Sequence, residues 1–317
     1  MKSLKWVLAI ALLSFLVISA QQAQPGANAR PAWAFVVPDK EQPPSEENTG
    51  PQHIPGSEKA YTMAQIENLG HPPDWFPNEH GPLPTVVSGE GVTVRACGSC
   101  HLMSGEGHPE SAGLAGLPLE YLVRQMADFK SGARNNPGMS GIAKSISEAD
   151  AKAAAEYFAA LKPGAWVRVF EADTIPKSYV NNPGRMRLPL PAGGMEPLGN
   201  RIVELPEDAH RAISRDPHSG FVAYAPPGSI AKGKQLVMTG GNGKTISCTI
   251  CHGDSLQGIG AVPRIAGLHP LYIARQLSMF QTDGYNGNSS ALMKKVVVNL
   301  DEDDMLAIAA YAASAKP

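Results

Sequence analysis

The 317-residue chain is short of cysteine, of net charge and, over residues 21–84, of any periodic pattern, and each shortage excludes something. Its four cysteines fall in two close pairs, Cys97 with Cys100 and Cys248 with Cys251, which leaves no thiol for a separate nucleophile or a third site. The formal net charge is −2, too little basic excess to suggest nucleic acid as a partner. The apolar run Trp6 to Ile18 is shorter than the roughly 20 residues of a comfortable spanning helix. No βαβ pattern surrounds either cysteine pair, which argues against a thioredoxin-like redox site.

What is present is a five-residue stretch written twice: Cys97-Gly-Ser-Cys100-His101 and Cys248-Thr-Ile-Cys251-His252. C-x-x-C-H is the attachment signature of a c-type haem. Two thiols three residues apart lie on one side of a helical turn, where each can add to a vinyl group of one porphyrin. The adjacent His then comes under the iron as proximal ligand. A zinc site would need the two pairs to converge from far apart in sequence and would leave both histidines unexplained.

Lys2 and Lys5, the apolar run and the small pair Ser19-Ala20 read residues 1–20 as a secretory signal, which places the chain in the periplasm; an uncleaved membrane anchor is the alternative. Residues 21–84, with Pro43-Pro44 and Pro72-Pro73, form a Pro-rich strap expected to lay Trp33, Phe35, Trp75 and Phe76 on the body of the protein. Three basic side chains face eight acidic ones in this strap, whereas residues 227–317 hold eight basic and six acidic, a bias that can steer a redox partner. The first lobe is 85–163, with a helix from Pro118 to near Gly132 and a last helix opening at Ser147. In the helix from Pro118, Leu119, Leu122, Val123, Met126 and Phe129 are expected on one apolar face. A connector, 164–226, carries three β-type runs at Trp166–Phe170, Arg201–Leu205 and Gly220–Tyr224. The second lobe is 227–317, and Ser229 is expected to cap its first helix.

The lobes are one unit repeated. At an offset of 151, Gly116, Tyr121, Arg124-Gln125 and Phe129 meet Gly267, Tyr272, Arg275-Gln276 and Phe280; after three extra residues, Tyr157 meets Tyr311. The repeat also selects the sixth ligands. Met126 faces Leu277, Met279 faces Asp128 and Met305 faces Ala151, and Met103 is too close to His101 to cross the ring. Met139 and Met293 match, in the loop before the final helix, and read as thioether ligands, with Met126 the alternative to Met139.

Gly116-Leu117-Pro-Leu-Glu-Tyr121-Leu-Val-Arg124-Gln125 and Gly267-Leu268-His-Pro-Leu-Tyr272-Ile-Ala-Arg275-Gln276, each following a C-x-x-C-H and preceding a loop Met, resemble the tandem two-haem class I cytochromes c. The resemblance covers a little over half of the chain. It implies a mainly α fold of two cytochrome lobes, two covalent haem c groups and His/Met ligation by His101, Met139, His252 and Met293. It also implies a carbonyl beside a loop Pro that accepts the proximal His Nδ1 proton. Pro263 fits that place in the second lobe. The first has Ala112 there, and Ser88-Gly-Glu-Gly-Val-Thr-Val ahead of its motif is a poor helix former, so either the strap substitutes or this haem is more exposed.

Filled axial positions point to an electron carrier rather than an enzyme, passing single electrons from a dehydrogenase or quinol-oxidising complex to a terminal acceptor. A dedicated cytochrome subunit of a periplasmic dehydrogenase is the alternative. A two-haem peroxidase or sulfur-compound oxidase needs an open axial position and acid–base residues. Spacing places none of His108, His218 and His269 at a distal site, and they read as surface or packing residues. Arg124 and Arg275 are candidates for haem propionates or for an interlobe contact.

Overall fold

A computed structural model describes residues 30–44, 50–89, 95–182 and 186–317; the expected signal, residues 1–20, lies outside them. The strap begins with a 3₁₀ turn, Ala32–Ala34, and carries α1, Met63–Ile66, closed by a reciprocal Thr62–Gln65 capping box. A single turn, α2, Thr85–Ser88, follows it at the start of the first lobe. The strap's aromatics are anchored. Trp75 is buried and its Nε1 donates to Ser214 O at 2.7 Å, while Phe76 lies against the His218 ring with centroids 3.9 Å apart.

The first lobe continues through α3 (Gly98–His101), α4 (Leu119–Ser131), α5 (Pro137–Ser145) and α6 (Glu148–Ala160). α4 stops because Gly132 takes the left-handed conformation at φ 83°. α6 starts where the Ser147 hydroxyl accepts from Asp150 N at 3.0 Å. Val86, Val87, Leu117, Leu122 and Phe158 form the core. α4 departs from its apolar pattern: Leu119 and Val123 are exposed, whereas Gln125 and Asp128 are buried. The second lobe covers that polar side.

The connector contributes β1 (Val167–Glu171), β2 (Thr174–Pro176), β3 (Ser178–Val180), β4 (Arg187–Pro189), β5 (Met195–Pro197), β6 (Val203–Pro206), α7 (Ala209–Ile213) and β7 (Phe221–Ala225). The three β-type runs of the sequence form one sheet in the order β1-β7-β6, parallel between β1 and β7 and antiparallel between β7 and β6. Two further antiparallel ladders, β2 with β5 and β3 with β4, were not foreseen.

The second lobe comprises α8 (Ser229–Thr239), α9 (Thr249–His252), α10 (Pro270–Gln281), α11 (Ser290–Val297) and α12 (Glu302–Ser314). Ser229 does not cap α8: Gly228 is the cap residue, and the Ser229 hydroxyl donates to Pro226 O at 2.6 Å. α12 is buried on nearly every side, between α8, α10 and strands β1 and β7. Its alanines let these elements close in, so that sheet and lobe share one core through Phe221, Ala223, Leu236, Val237 and Ile308.

Candidate functional site

Each C-x-x-C-H occupies a single helical turn, α3 or α9, that ends on its His. Both imidazoles are buried, and each is held by a carbonyl eleven residues on. His101 Nδ1 lies 2.7 Å from Ala112 O and His252 Nδ1 lies 2.8 Å from Pro263 O. A carbonyl only accepts, so Nδ1 carries the proton in both and Nε2 keeps its lone pair. Burial lowers both pKa values, against the raising effect of these hydrogen bonds, and favours the neutral imidazole a metal requires. The first-lobe contact therefore forms without a proline. A backbone carbonyl is offered by Ala112 as well as by Pro263, provided the loop returns correctly.

The loop does return in both lobes by the same path. Left-handed residues recur at the offset of 151: Leu102 and Gly253, Gly105 and Leu256, Gly107 and Gly258, Gly116 and Gly267. The isolated bridge His108–Ser111 recurs as Ile259–Val262. Gly107 and Gly258 are needed for space as well as for φ, since a Cβ on either would lie 2.5 Å from a backbone oxygen, that of Ser111 or Val262.

Above the first turn opens a cavity of about 1190 Å³, beyond the roughly 300–1,000 Å³ of ordinary ligand pockets. Cys97, Cys100 and His101 line it, with Leu122 and Phe158 from the first lobe. The strap supplies Phe35, Ile66 and Leu69, the connector Arg215 and Phe221, and the second lobe Tyr272, Arg275, Gln276 and Met279. The strap and connector thus wall a site ahead of which α2 gives only one helical turn. Arg215, at a left-handed φ of 60°, donates from Nε to Ile66 O at 2.9 Å and from Nη1 to Ser99 O inside the motif. Sequence reasoning missed it, because a lone Arg after α7 gives no signal.

The methionines separate. Met139 and Met126 both line the cavity, and Met279 reaches it from α10. Met103 is buried elsewhere, its carbonyl accepting from the Tyr157 hydroxyl at 2.6 Å. Met139 is not in a loop. It occupies the first turn of α5, where its N–H donates to the Asn136 side chain at 3.0 Å. Met293 likewise sits in α11, partly buried against the second-lobe core. Burial pushes the Cys97 thiol up to about 12 and the Cys248 thiol up to about 11. Among the described residues no cluster of three or more His, Cys, Asp or Glu is arranged to hold a metal ion. Paired thiols beside a neutral, oriented imidazole, at the wall of a large cavity, fit a haem.

The family model for cytochrome c matches residues 230–316. Cytochrome c-554(547) of Halothiobacillus neapolitanus is 36% identical over 85 residues, 93% of its length and 23% of this chain. The chain belongs to the cytochrome c family. Over a longer stretch, this cytochrome is 28% identical to the thiosulfate dehydrogenase electron acceptor of Thiomonas intermedia, over 69% of this chain and 78% of that protein. It is 25% identical to cytochrome c4 of Pseudomonas aeruginosa, over 68% and 81%. A solved structure of thiosulfate dehydrogenase (TsdBA) from Marichromatium purpuratum aligns with a TM-score of 0.52 at 27% identity. That alignment covers 74% of this chain and 39% of the other, so this cytochrome spans about two fifths of that protein's length. The chain is a two-haem class I cytochrome c that carries two covalent haem c groups and transfers electrons to and from other redox proteins.

The lobes of the cytochrome meet through contacts made by repeated residues. Arg124 reaches Ala261 O of the second lobe at 3.5 Å, and its repeat partner Arg275 reaches Pro109 O of the first at 2.5 Å. Arg275 also donates to Ala34 O at 2.9 Å and pairs with Glu110 at 3.4 Å. Both arginines therefore make interlobe contacts. Arg264, one residue beyond Pro263, donates to Ala115 O at 3.1 Å and ties the two proximal loops together.

Of the three other histidines near the lobes and connector considered above, His218 is partly exposed and bonds Glu79 at 2.6 Å. His269 is fully buried, its Nδ1 2.7 Å from Glu204 Oε1, and so belongs to the packing. His108 is partly buried and lines the first cavity. Burial and the neighbouring positive charge of Arg215 push its pKa down to about 3.

Proposed function

We propose that this cytochrome is a periplasmic electron acceptor for a dehydrogenase and passes the electrons singly to a terminal acceptor. In this reading Cys97 and Cys100, and Cys248 and Cys251, form the thioethers, His101 and His252 are the proximal ligands, and Met139 and Met293 the distal ones. The chain divides into signal 1–20, strap 21–84, first lobe 85–163, connector 164–226 and second lobe 227–317. Each iron, when bound, supplies a one-electron ferric/ferrous couple. His101 and Met139 would hold one iron and His252 and Met293 the other, and with both protein ligands in place the metal would offer no site to a substrate.

The observation that carries the reading is the paired His Nδ1–carbonyl bond, made twice by loops of one conformation. It supports two like-built proximal sites in one chain. Relatives named for accepting electrons from thiosulfate dehydrogenase make a sulfur-anion dehydrogenase the first donor to test. The oxidised holoprotein is mixed with a thiosulfate dehydrogenase and thiosulfate in a stopped-flow spectrometer. Reduction of both haems, with no reduction by thiosulfate alone, supports the reading. Turnover of thiosulfate or peroxide by the cytochrome itself favours an enzyme, and reduction by neither route removes this donor.

Among the described residues no helix is long and apolar enough to cross a membrane.

A further inference from the structure

Among the places where the repeat is broken in the interlobe contact, one sets a residue against its own repeat counterpart. At the offset of 151, Arg134 matches Tyr285, and the two residues face each other as an antiparallel bridge between the lobes. Tyr121 and Tyr272, and Gln125 and Gln276, keep the same residue in both lobes, so the neutral residues around the pair 134/285 repeat while the charge of Arg134 does not.

That charge is buried. Arg134 is 6% exposed, with its guanidinium between the Phe129 and Tyr285 rings, 4.6 and 5.0 Å from their centroids. Its Nη1 donates to Gln125 Oε1 at 2.5 Å, and its Nη2 to Gln276 Oε1 at 2.6 Å and the Tyr272 hydroxyl at 3.1 Å. All these partners are neutral. Asp128 is buried nearby but lies 3.4 Å from the Tyr285 hydroxyl and forms no ion pair with the guanidinium among the described residues. Three of the five guanidinium N–H groups are thereby used, and Arg134 lines the first cavity together with Gln125, Tyr272 and Gln276.

A guanidinium buried among neutral groups is costly unless an anion joins it. The remaining Nε–H and one Nη1–H, on a fixed positive charge at the wall of a haem cavity, can each donate to a carboxylate. We infer that Arg134 binds a propionate of the first haem and sets that haem apart from the second. It is a positioning and tuning residue. The fixed positive charge opposes the negative charge that reduction adds, and so raises the potential of the first haem. Gln276 and Tyr272 hold the guanidinium from the other lobe, so its place depends on the lobes staying docked.

The inference rests on the first cavity holding one of the two haems. Haem content measured on every sample separates failure of that premise from failure of the inference. The test is a spectroelectrochemical titration of holoprotein carrying Arg134→Gln, Arg134→Lys or Gln276→Ala. The first haem is assigned by nuclear Overhauser contacts of its methyl groups with Leu122 and Phe158. The expected result is a fall in the first-haem potential in R134Q with a smaller change in the second. R134K should retain the potential, and Q276A, which loosens the contact but keeps the charge, should lose thermal stability with little change in either potential. Unchanged potentials in R134Q, an equal fall of both haems, an R134K as low as R134Q, or a Q276A shift as large as that of R134Q would each overturn it.

Discussion

Replacing Gly233 by Ala should destabilise the second lobe, although the substitution favours an isolated helix. Gly233 lies within α8, where Ala is better than Gly by about 1 kcal/mol. A Cβ there would sit 2.0 Å from Ala307 O and 2.7 Å from the Tyr311 Cβ on α12. Ordinary contact begins near 3.4 Å, so the backbones would have to part by the 1.4 Å between 2.0 and 3.4 Å. The obstacle is a carbonyl of a helix packed on three other elements, and it cannot swing aside. A radial gap of even about 0.5–1 Å forfeits a quarter to a half of each dispersion contact along the crossing. Overpacking of this kind costs about 3 kcal/mol, the upper end of its usual range. Against the propensity gain, a net loss of about 2 kcal/mol follows. Because Cys248 N donates to Val237 O at 2.9 Å, the shift should also reach the second motif. Urea unfolding followed by far-UV circular dichroism measures the loss directly. A G233A protein as stable as wild type, or more stable, refutes the close-packed crossing.

Two further outcomes concern the ligands and one ion-paired cap. Met293→Leu and Met139→Leu should each lower the potential of one haem and convert it to high spin or to another ligand, in spectra of the separate variants, while Met126→Leu leaves both in place; an unchanged M139L spectrum moves the assignment to Met126 or Met279. Burial draws the Asp304 carboxyl up, but Lys232 and Lys244, each at 2.9 Å, and the Asp301 amide outweigh it and hold its pKa below the usual range. A folded pKa below the unfolded one contributes stability that is complete above the ordinary carboxylate range and is lost as pH falls through the folded value. Asp304→Asn should therefore cost about 1 kcal/mol at neutral pH, modest because both lysines are partly exposed, and its difference from wild type should vanish in acid unfolding curves below the carboxylate range.

Much of the site could be read from the chain because covalent attachment demands a fixed local spelling. C-x-x-C-H and its recurrence 151 residues later carry both turns, and the recurrence of Gly116 and Tyr121 carries the loop and helix that follow. The three connector strands were legible through their β-branched and aromatic runs. What could not be read depends on contacts between distant segments. Gln125, Asp128 and Arg134 are buried because the second lobe lies on them, and a pattern of apolar residues does not register a polar interface. Ala112 substitutes for a proline because only its backbone oxygen is used. Pro137 and Gly138 suggested a loop, yet Pro at the first position of a helix is favourable, and Asn136 caps the turn that carries Met139. The β2–β5 and β3–β4 ladders, three residues per strand and bordered by proline, have too little periodicity to be seen.

The account stands on two separate covalent haem sites in one chain, and the pyridine haemochrome assay, set against protein concentration by amino-acid analysis after acid–acetone extraction, tests this most directly. Two haems per chain retained after extraction is the predicted result, with one remaining when Cys248 and Cys251 are both replaced by Ala. A single haem in the unaltered protein, haem lost to the solvent, or zinc in its place would contradict it.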